Sequence, residues 1–217
     1  MKFFICSYTN KVKSYCDVLF LAHLGQVAKD NPVFIVDNTL DNGEYINRLR
    51  SITNKFTFAK TIIPPGKYQF LRNVTFSVNL CREAFLISNC DHMVIVESDV
   101  IPPVHLLEAF EKDITYLNNQ KENWGTLGAL YYSGFHQYNL QGLCKTPNTL
   151  SGCTVYNKEL IKDTLFRWDI NTLYAFPDAF MSLDGIKKGY TNWNDHDLIC
   201  QHLERTPGDR GHNDPLF

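Results

Sequence analysis

The chain opens on an unbroken apolar run, Phe3-Phe4-Ile5-Cys6, that stops at Ser7-Tyr8-Thr9-Asn10. A short run without polar alternation predicts a strand covered on both faces. Apolar positions at Val12, Tyr15, Val18, Leu19, Ala22 and Val27 then recur every three or four residues, which predicts a helix over 12–29. Asn31-Pro32 breaks it. Val33–Val36 is a second apolar run, ended by Asp37-Asn38; a short helix over 44–51 and a third strand over 56–63 follow. Phe70, Val74, Val78, Cys81 and Phe85 form a broad stripe that predicts a helix over 70–88. Met93-Val94-Ile95-Val96 is the next strand, and it stops at Glu97-Ser98-Asp99. Beyond Pro102-Pro103 a helix is expected over 104–117. This alternation of strand and helix predicts a parallel sheet joined by right-handed crossovers.

The second half is less regular. Strands are expected at 125–132, 153–156 and 198–203, with helices at 158–165 and 177–188, the last capped by Gly189. Residues 206–217 read as loop. With 217 residues, 44% of them hydrophobic, the chain can bury one core, and no linker, repeat or low-complexity stretch divides it. The expectation is a single α/β domain, with 1–103 and 104–217 as its halves. A net charge of −2 supplies no overall basic field for nucleic acid or an acidic membrane. No segment reaches the roughly 20 apolar residues of a membrane span, and the first apolar run is too short for a signal peptide. Seven cysteines without a Cys-x-x-Cys pair read as reduced thiols, so a cytoplasmic setting is expected.

In open α/β sheets ligands bind beyond the carboxyl ends of the strands. The polar residues there are Ser7-Tyr8-Thr9, Asp37-Asn38 and Glu97-Ser98-Asp99. Glu97 and Asp99 stand at i and i+2, on one side of an ideal strand, or splayed around a cation at its end. No lysine or arginine neighbours them in sequence, so they repel each other until something positive arrives. Mn²⁺ or Mg²⁺ suits carboxylate and phosphate oxygens together. The plain alternative is a solvated acid pair after a strand. Of the basic residues Lys11, Lys13, Lys67 and Arg72, only Arg72 is singled out as a phosphate partner. Aromatics such as Trp124, Tyr131, Tyr132, Phe135, Tyr138 and Trp193 could stack on a sugar or base, but most strand aromatics fill cores.

Val94-Ile95-Val96-Glu97-Ser98-Asp99-Val100-Ile101-Pro102-Pro103 resembles the signature segment of GT-A-fold, nucleotide-sugar-dependent glycosyltransferases, in particular their inverting, family-2-like members. The resemblance implies a Rossmann-like, mostly parallel central sheet flanked by helices. It implies a D-x-D or E-x-D motif holding a divalent cation on the donor diphosphate, with Glu97, Ser98 and Asp99 in that place. Arg72, Asn73 and Asn79 resemble the helix that contacts or underlies the nucleotide. Ser7, Tyr8 and Thr9 match the uridine-facing loop, and Asp37 and Asn38 the second strand end. Leu150-Ser151-Gly152-Cys153 resembles the loop beside the donor sugar, so Ser151 and Gly152 join the expected binding residues. Phe176-Pro177-Asp178-Ala179-Phe180 resembles the helix that carries the general base; proline stands where glutamate is usual, so the match of Asp178 is partial. A carboxylate there also suits a helix N-terminus. Asp197–Leu203 is similar to the strand carrying a further metal ligand, which favours His202, with His196 as the alternative and His212 as a third.

The expected activity is transfer of a sugar from a nucleoside-diphosphate sugar, uridine-linked, to a glycan or other acceptor hydroxyl, with inversion and with Mn²⁺ or Mg²⁺. A nucleic-acid acceptor is conceivable but not favoured. A sugar nucleotidyltransferase is the alternative within the fold, although Ser7–Lys11 lacks the glycines of its phosphate loop. A non-catalytic carbohydrate- or nucleotide-binding domain is the alternative of another class. A metal-dependent hydrolase has no His-x-His or His-Glu-x-x-His pattern to support it.

Overall fold

The computed structural model describes residues 1–131, 140–149, 152–169, 171 and 176–203. Its parallel half follows the hydrophobic pattern. β1 (Phe3–Thr9) pairs in parallel with β2 (Val33–Asp37) on one side and β4 (His92–Val96) on the other, and β2 pairs in parallel with β3 (Thr57–Lys60). The connections are helical: α1 (Asp17–Ala28), α2 (Glu44–Ile52) and α3 (Gln69–Leu86). Because successive side chains point to opposite faces, β1 feeds two cores. Phe3 and Ile5 join Val94, Val96 and the buried faces of α1, α2 and α4 (Leu106–Asn119). Phe4, Cys6 and Tyr8 join Met93, Ile95, α3, α5 (Lys158–Asp163) and Met181 of α6 (Pro177–Lys187).

The second half departs from expectation. β8 (Cys153–Asn157) inserts between β4 and β6 (Trp124–Tyr131) and runs antiparallel to both. The strand order is β3-β2-β1-β4-β8-β6-β9-β5, with β7 (Leu143–Thr146) also on β9 (Thr191–His202) and β5 being Val100–Ile101. Among the described residues four pairings are parallel and four antiparallel, so the sheet is mixed, not mostly parallel. The hydrophobic pattern could not show this: β8 is buried on both faces, so its apolar run reads the same whichever way the strand points.

β9 is also longer than the expected 198–203. Its polar start, Thr191–Asp197, reads as loop, yet β6 and β7 pair with it on either side. Pairing on both edges overrides local composition. At the other end α1 begins at Asp17 rather than at 12, because Lys11–Lys13 forms a 3₁₀ turn whose preceding Asn10 side chain accepts from Val12 N. Val12, Tyr15, Val18 and Leu19 are exposed there, and Phe20, Leu21, Leu24 and Val27 make the buried face.

α4 buries one carboxyl, Asp113, behind β9. Burial first, then the charge of Asp195 and a hydrogen bond to it, push the Asp113 carboxyl up to about 7. An unfolded aspartate titrates near ~3.9. The folded chain therefore keeps a proton that the unfolded chain loses, and stability falls as pH rises from about 4 to about 7. Asp113→Asn removes that loss. Its melting temperature should match wild type near pH 4 and exceed it by roughly 3 °C or more at pH 8; a gap independent of pH would refute the shared proton.

Candidate active site

At Val96 the chain leaves β4, passes through Glu97-Ser98-Asp99 and re-enters the sheet as β5, paired not with β4 but with the far end of β9. The acidic tripeptide is thus a bridge between two parts of the sheet, and its backbone is pinned. Glu97 N donates to Gly152 O at 3.0 Å, Val100 N to Glu97 O at 3.0 Å, and Leu203 N to Asp99 O at 2.7 Å. The Cys16 thiol donates to Ser98 O at 3.0 Å.

The two carboxylates splay. Glu97 faces β1, where the Tyr8 hydroxyl donates to its Oε1 at 2.6 Å. Burial pushes the Tyr8 phenol well above its usual range, and Glu97, Asp178 and Asp99 add to the shift. Tyr8 is therefore a neutral donor to Glu97 across physiological pH. Asp99 faces the other way. Its Oδ2 lies 2.8 Å from Lys13 Nζ and 3.7 Å from His202 Nε2. Its Oδ1 is buried without a hydrogen-bond partner among the described residues. His202 is held by the Tyr131 ring, stacked on it at 5.5 Å and 24°. Gly152 lets that ring in: a Cβ there would stand 2.5 Å from Tyr131 Cε1.

Asp178 follows Pro177 in the first turn of α6. It acts on the Tyr8 phenol, and it is the largest charge acting on the buried Tyr156 phenol, ahead of Glu97. Glu97 thus touches Tyr8, and the charges of Asp178 and Asp99 also act on that phenol. Phe70 of α3 meets Phe176 edge-on at 6.5 Å, which brings the starts of α3 and α6 together.

The remaining expected residues are distributed around this centre. Ser7 is fully buried, and its hydroxyl has no hydrogen-bond partner among the described residues; the same holds for the Ser98 hydroxyl and Asn38 Oδ1. Thr9 Oγ1 meets the Tyr45 hydroxyl at 3.3 Å. Asp37 is fully buried, with Oδ2 3.0 Å from Lys60 Nζ and Oδ1 accepting from Thr39 N at 2.8 Å. Lys60 also reaches Asp41 at 2.6 Å and holds that carboxyl down to about 2. Arg72 lies over the Gly66 turn and lines a cavity of about 430 Å³ with Ile62, Thr75, Phe76, Asn79 and Trp168. Asn79 is engaged elsewhere: its Nδ2 donates to Phe166 O at 2.8 Å and its Oδ1 accepts from Phe166 N at 3.1 Å, clamping the segment after α5. His196 lies in the β9 bulge between Asp195 and Ile199, its N donating to Gly142 O, beside β7 rather than beside Asp99. Trp124 is buried in the core, and Trp193 lies under Lys145. Ser151, Leu150, Tyr132, Phe135, Tyr138 and His212 lie outside the described residues.

Sequence reasoning passed over Lys13. It stands 86 residues from Asp99 in the chain, and only the adjacency of β1 and β4 brings the two together. Among the described residues no group of three or more His, Cys, Asp or Glu side chains is arranged as a metal cluster. The orphaned Asp99 Oδ1 and the nearby His202 Nε2 are nevertheless the hard oxygen and imidazole donors that Mn²⁺ accepts.

No protein-family model and no curated protein matches the sequence. Solved structures do match in shape. The mannosyltransferase PcManGT from Pyrobaculum calidifontis, solved with GDP-Man and Mn²⁺, has a TM-score of 0.67 at 14% identity, over 97% of this chain and 59% of its own. TarS of S. aureus has a TM-score of 0.60 at 15% identity, over 94% of this chain and 37% of its own. Its fragment 1–349, solved with UDP, gives 0.59 at 15% identity, over 96% and 62%. The chain thus has the GT-A-like fold of these glycosyltransferases and spans only 37–62% of their length. Among the described residues no helix is long and apolar enough to cross a membrane.

Gly152→Ala should drive Tyr131 off its position, and His202 with it. The expected cost is about 1–3 kcal/mol, read as a lower melting temperature; an unchanged transition would show that the ring has room to yield.

Proposed function

We propose that this chain is a metal-assisted glycosyltransferase that moves a sugar from a nucleoside-diphosphate sugar, uridine-linked, to an acceptor hydroxyl with inversion. The observation that supports this most is the Glu97-Ser98-Asp99 bridge at the carboxyl end of β4, with Glu97 bonded to Tyr8 of β1 and Asp99 beside His202 with one oxygen unpartnered among the described residues, in a fold shared with structures holding GDP-Man and Mn²⁺ or UDP. Two carboxylates at one strand end suit a site whose ligand brings positive charge, and a third at the start of α6 suits a group that accepts a proton.

In this reading residues 1–103 hold the nucleotide and residues 104–217 the acceptor side. Ser7, Thr9 and Asn38 frame the nucleoside end, with the buried Asp37 beneath them. Arg72 offers its guanidinium to phosphate or base from the cavity wall. Ser151 and Gly152 flank the donor sugar. Asp99 through Oδ1 and His202 through Nε2 would hold Mn²⁺ or Mg²⁺, with Glu97 behind them in its bond to Tyr8; His196, beside β7, is not placed to share that ion. Bound there, the cation supplies Lewis acidity against the charge that develops on the leaving diphosphate. Asp178 takes the acceptor hydroxyl proton as that oxygen bonds to the anomeric carbon and the bond to the diphosphate oxygen breaks. A base on the face opposite the leaving group sets inversion.

A thermal-shift series with UDP, GDP and their sugar conjugates tests the donor class, because a ligand of the native state raises its melting temperature. The largest shift is expected with a uridine diphosphate and Mn²⁺, and Asp99→Asn should lose the metal-dependent part. Asp178→Asn should keep that shift while transfer falls by about 10²–10⁴-fold. Undiminished donor turnover in Asp99→Asn would remove the mechanism.

A further inference from the structure

The charge on Asp99 is met by an ammonium that belongs to the chain. Lys13 Nζ stands 2.8 Å from Asp99 Oδ2, and the two side chains are only 23% and 10% exposed. This is a built contact rather than a loose surface pair. Lys13 ends the 3₁₀ turn after β1, and the Cys16 thiol lies 2.9 Å from Lys13 O and 3.0 Å from Ser98 O. One sulfur thus ties the lysine-bearing turn to the acid-bearing turn. His202 Nε2 approaches the same Oδ2 at 3.7 Å, and Asp99 Oδ1 faces no partner among the described residues.

A divalent cation bound by Asp99 and His202 would stand within a few ångströms of that ammonium. Two positive centres so close repel strongly in a partly buried site. The cation can settle only if Lys13 swings away, and a displaced ammonium in this position needs another anion. A diphosphate supplies one: its oxygens ligate the cation and accept from an ammonium at once.

We propose that Lys13 is a resident counter-ion of Asp99 that yields to a divalent cation only when a diphosphate is present to receive it, so that cation and nucleoside diphosphate bind this chain as a coupled pair. The inference rests on the reading of the site given above and adds its order of assembly.

The test is equilibrium dialysis of Mn²⁺ against the full chain, with and without UDP or GDP, each corrected by a nucleotide-only control. Wild type should hold Mn²⁺ at least about tenfold more tightly when UDP or GDP is present. Lys13→Met should bind Mn²⁺ without nucleotide about tenfold more tightly than wild type, and its gain from nucleotide should shrink. Lys13→Arg, which keeps the charge, should behave as wild type. Melting curves confirm that each variant folds. Equal Mn²⁺ affinity of wild type and Lys13→Met without nucleotide overturns the counter-ion role while leaving the proposed function intact. Failure of wild type and variants to retain Mn²⁺ with either nucleotide overturns the proposed function, and the counter-ion role with it.

Discussion

Two carboxylates held where a buried strand leaves the sheet are the constraint around which this molecule is arranged. An ionised acid with little access to water must be met by donors or charge. Glu97 is met by a phenol and Asp99 by an ammonium and an imidazole, so each acid of the pair has partners of its own. Neither arrangement survives if the tripeptide moves. Its fixity comes from backbone bonds to Gly152 and Leu203 and from the Cys16 thiol, that is, from β8, β9 and the start of α1.

β9 carries much of that burden. Its first residues lie between β6 and β7, and its last pair with β5, directly after Asp99. A buried polar chain ties this strand to α6. Thr126 Oγ1 donates to Asn192 Oδ1 at 2.8 Å, Asn192 Nδ2 donates to Ser182 O at 3.1 Å, and Thr149 Oγ1 reaches Thr126 Oγ1 at 3.2 Å. Ser182 stands one helical turn beyond Asp178. The network therefore sets where α6 begins relative to the acidic bridge, and it does so with directional bonds that an apolar contact lacks. On the same face of the sheet Arg82 donates to the carbonyls of Ile161, Lys162 and Thr164, satisfying the end of α5. Asn79 continues that clamp to Phe166. A helix that reads in sequence as a nucleotide contact thus also holds the segment after α5 in place.

What the sequence made legible follows from which forces are local. Buried parallel strands write themselves as apolar runs, so β1, β2 and β4 and the polar residues after them were readable, and with them Tyr8, Asp37, Glu97 and Asp99. β7 and the first half of β9 were not. Thr191–Asp197 is polar apart from Trp193 because its side chains meet Glu122, Thr126 and the Ser182 carbonyl, and such polarity gives no strand signal until its partners are known. The mixed sheet escaped for a related reason: strand direction is set by connections, and no hydrophobic period encodes it. Lys13 escaped because charge compensation across two strand ends is a tertiary fact.

The three strand ends that look alike in sequence are chemically distinct in the fold. At β2, both oxygens of Asp37 are engaged, by Lys60 and by the Thr39 amide, and Lys60 is itself shared with Asp41. That acid is satisfied within the β2-α2-β3 unit, and a ligand beside it meets two carboxylates sharing one ammonium with no oxygen of Asp37 left over. At β1, Tyr8 presents a hydroxyl already committed to Glu97. At β4, Asp99 keeps one buried oxygen without a donor among the described residues and holds the other against the end of a flexible four-carbon stem. Both acids are met by a lysine, so the stem does not separate them; the second oxygen does, engaged by the Thr39 amide at Asp37 and without a partner among the described residues at Asp99. That difference is the physical ground for placing the proposed reactive centre at Asp99 rather than at Asp37.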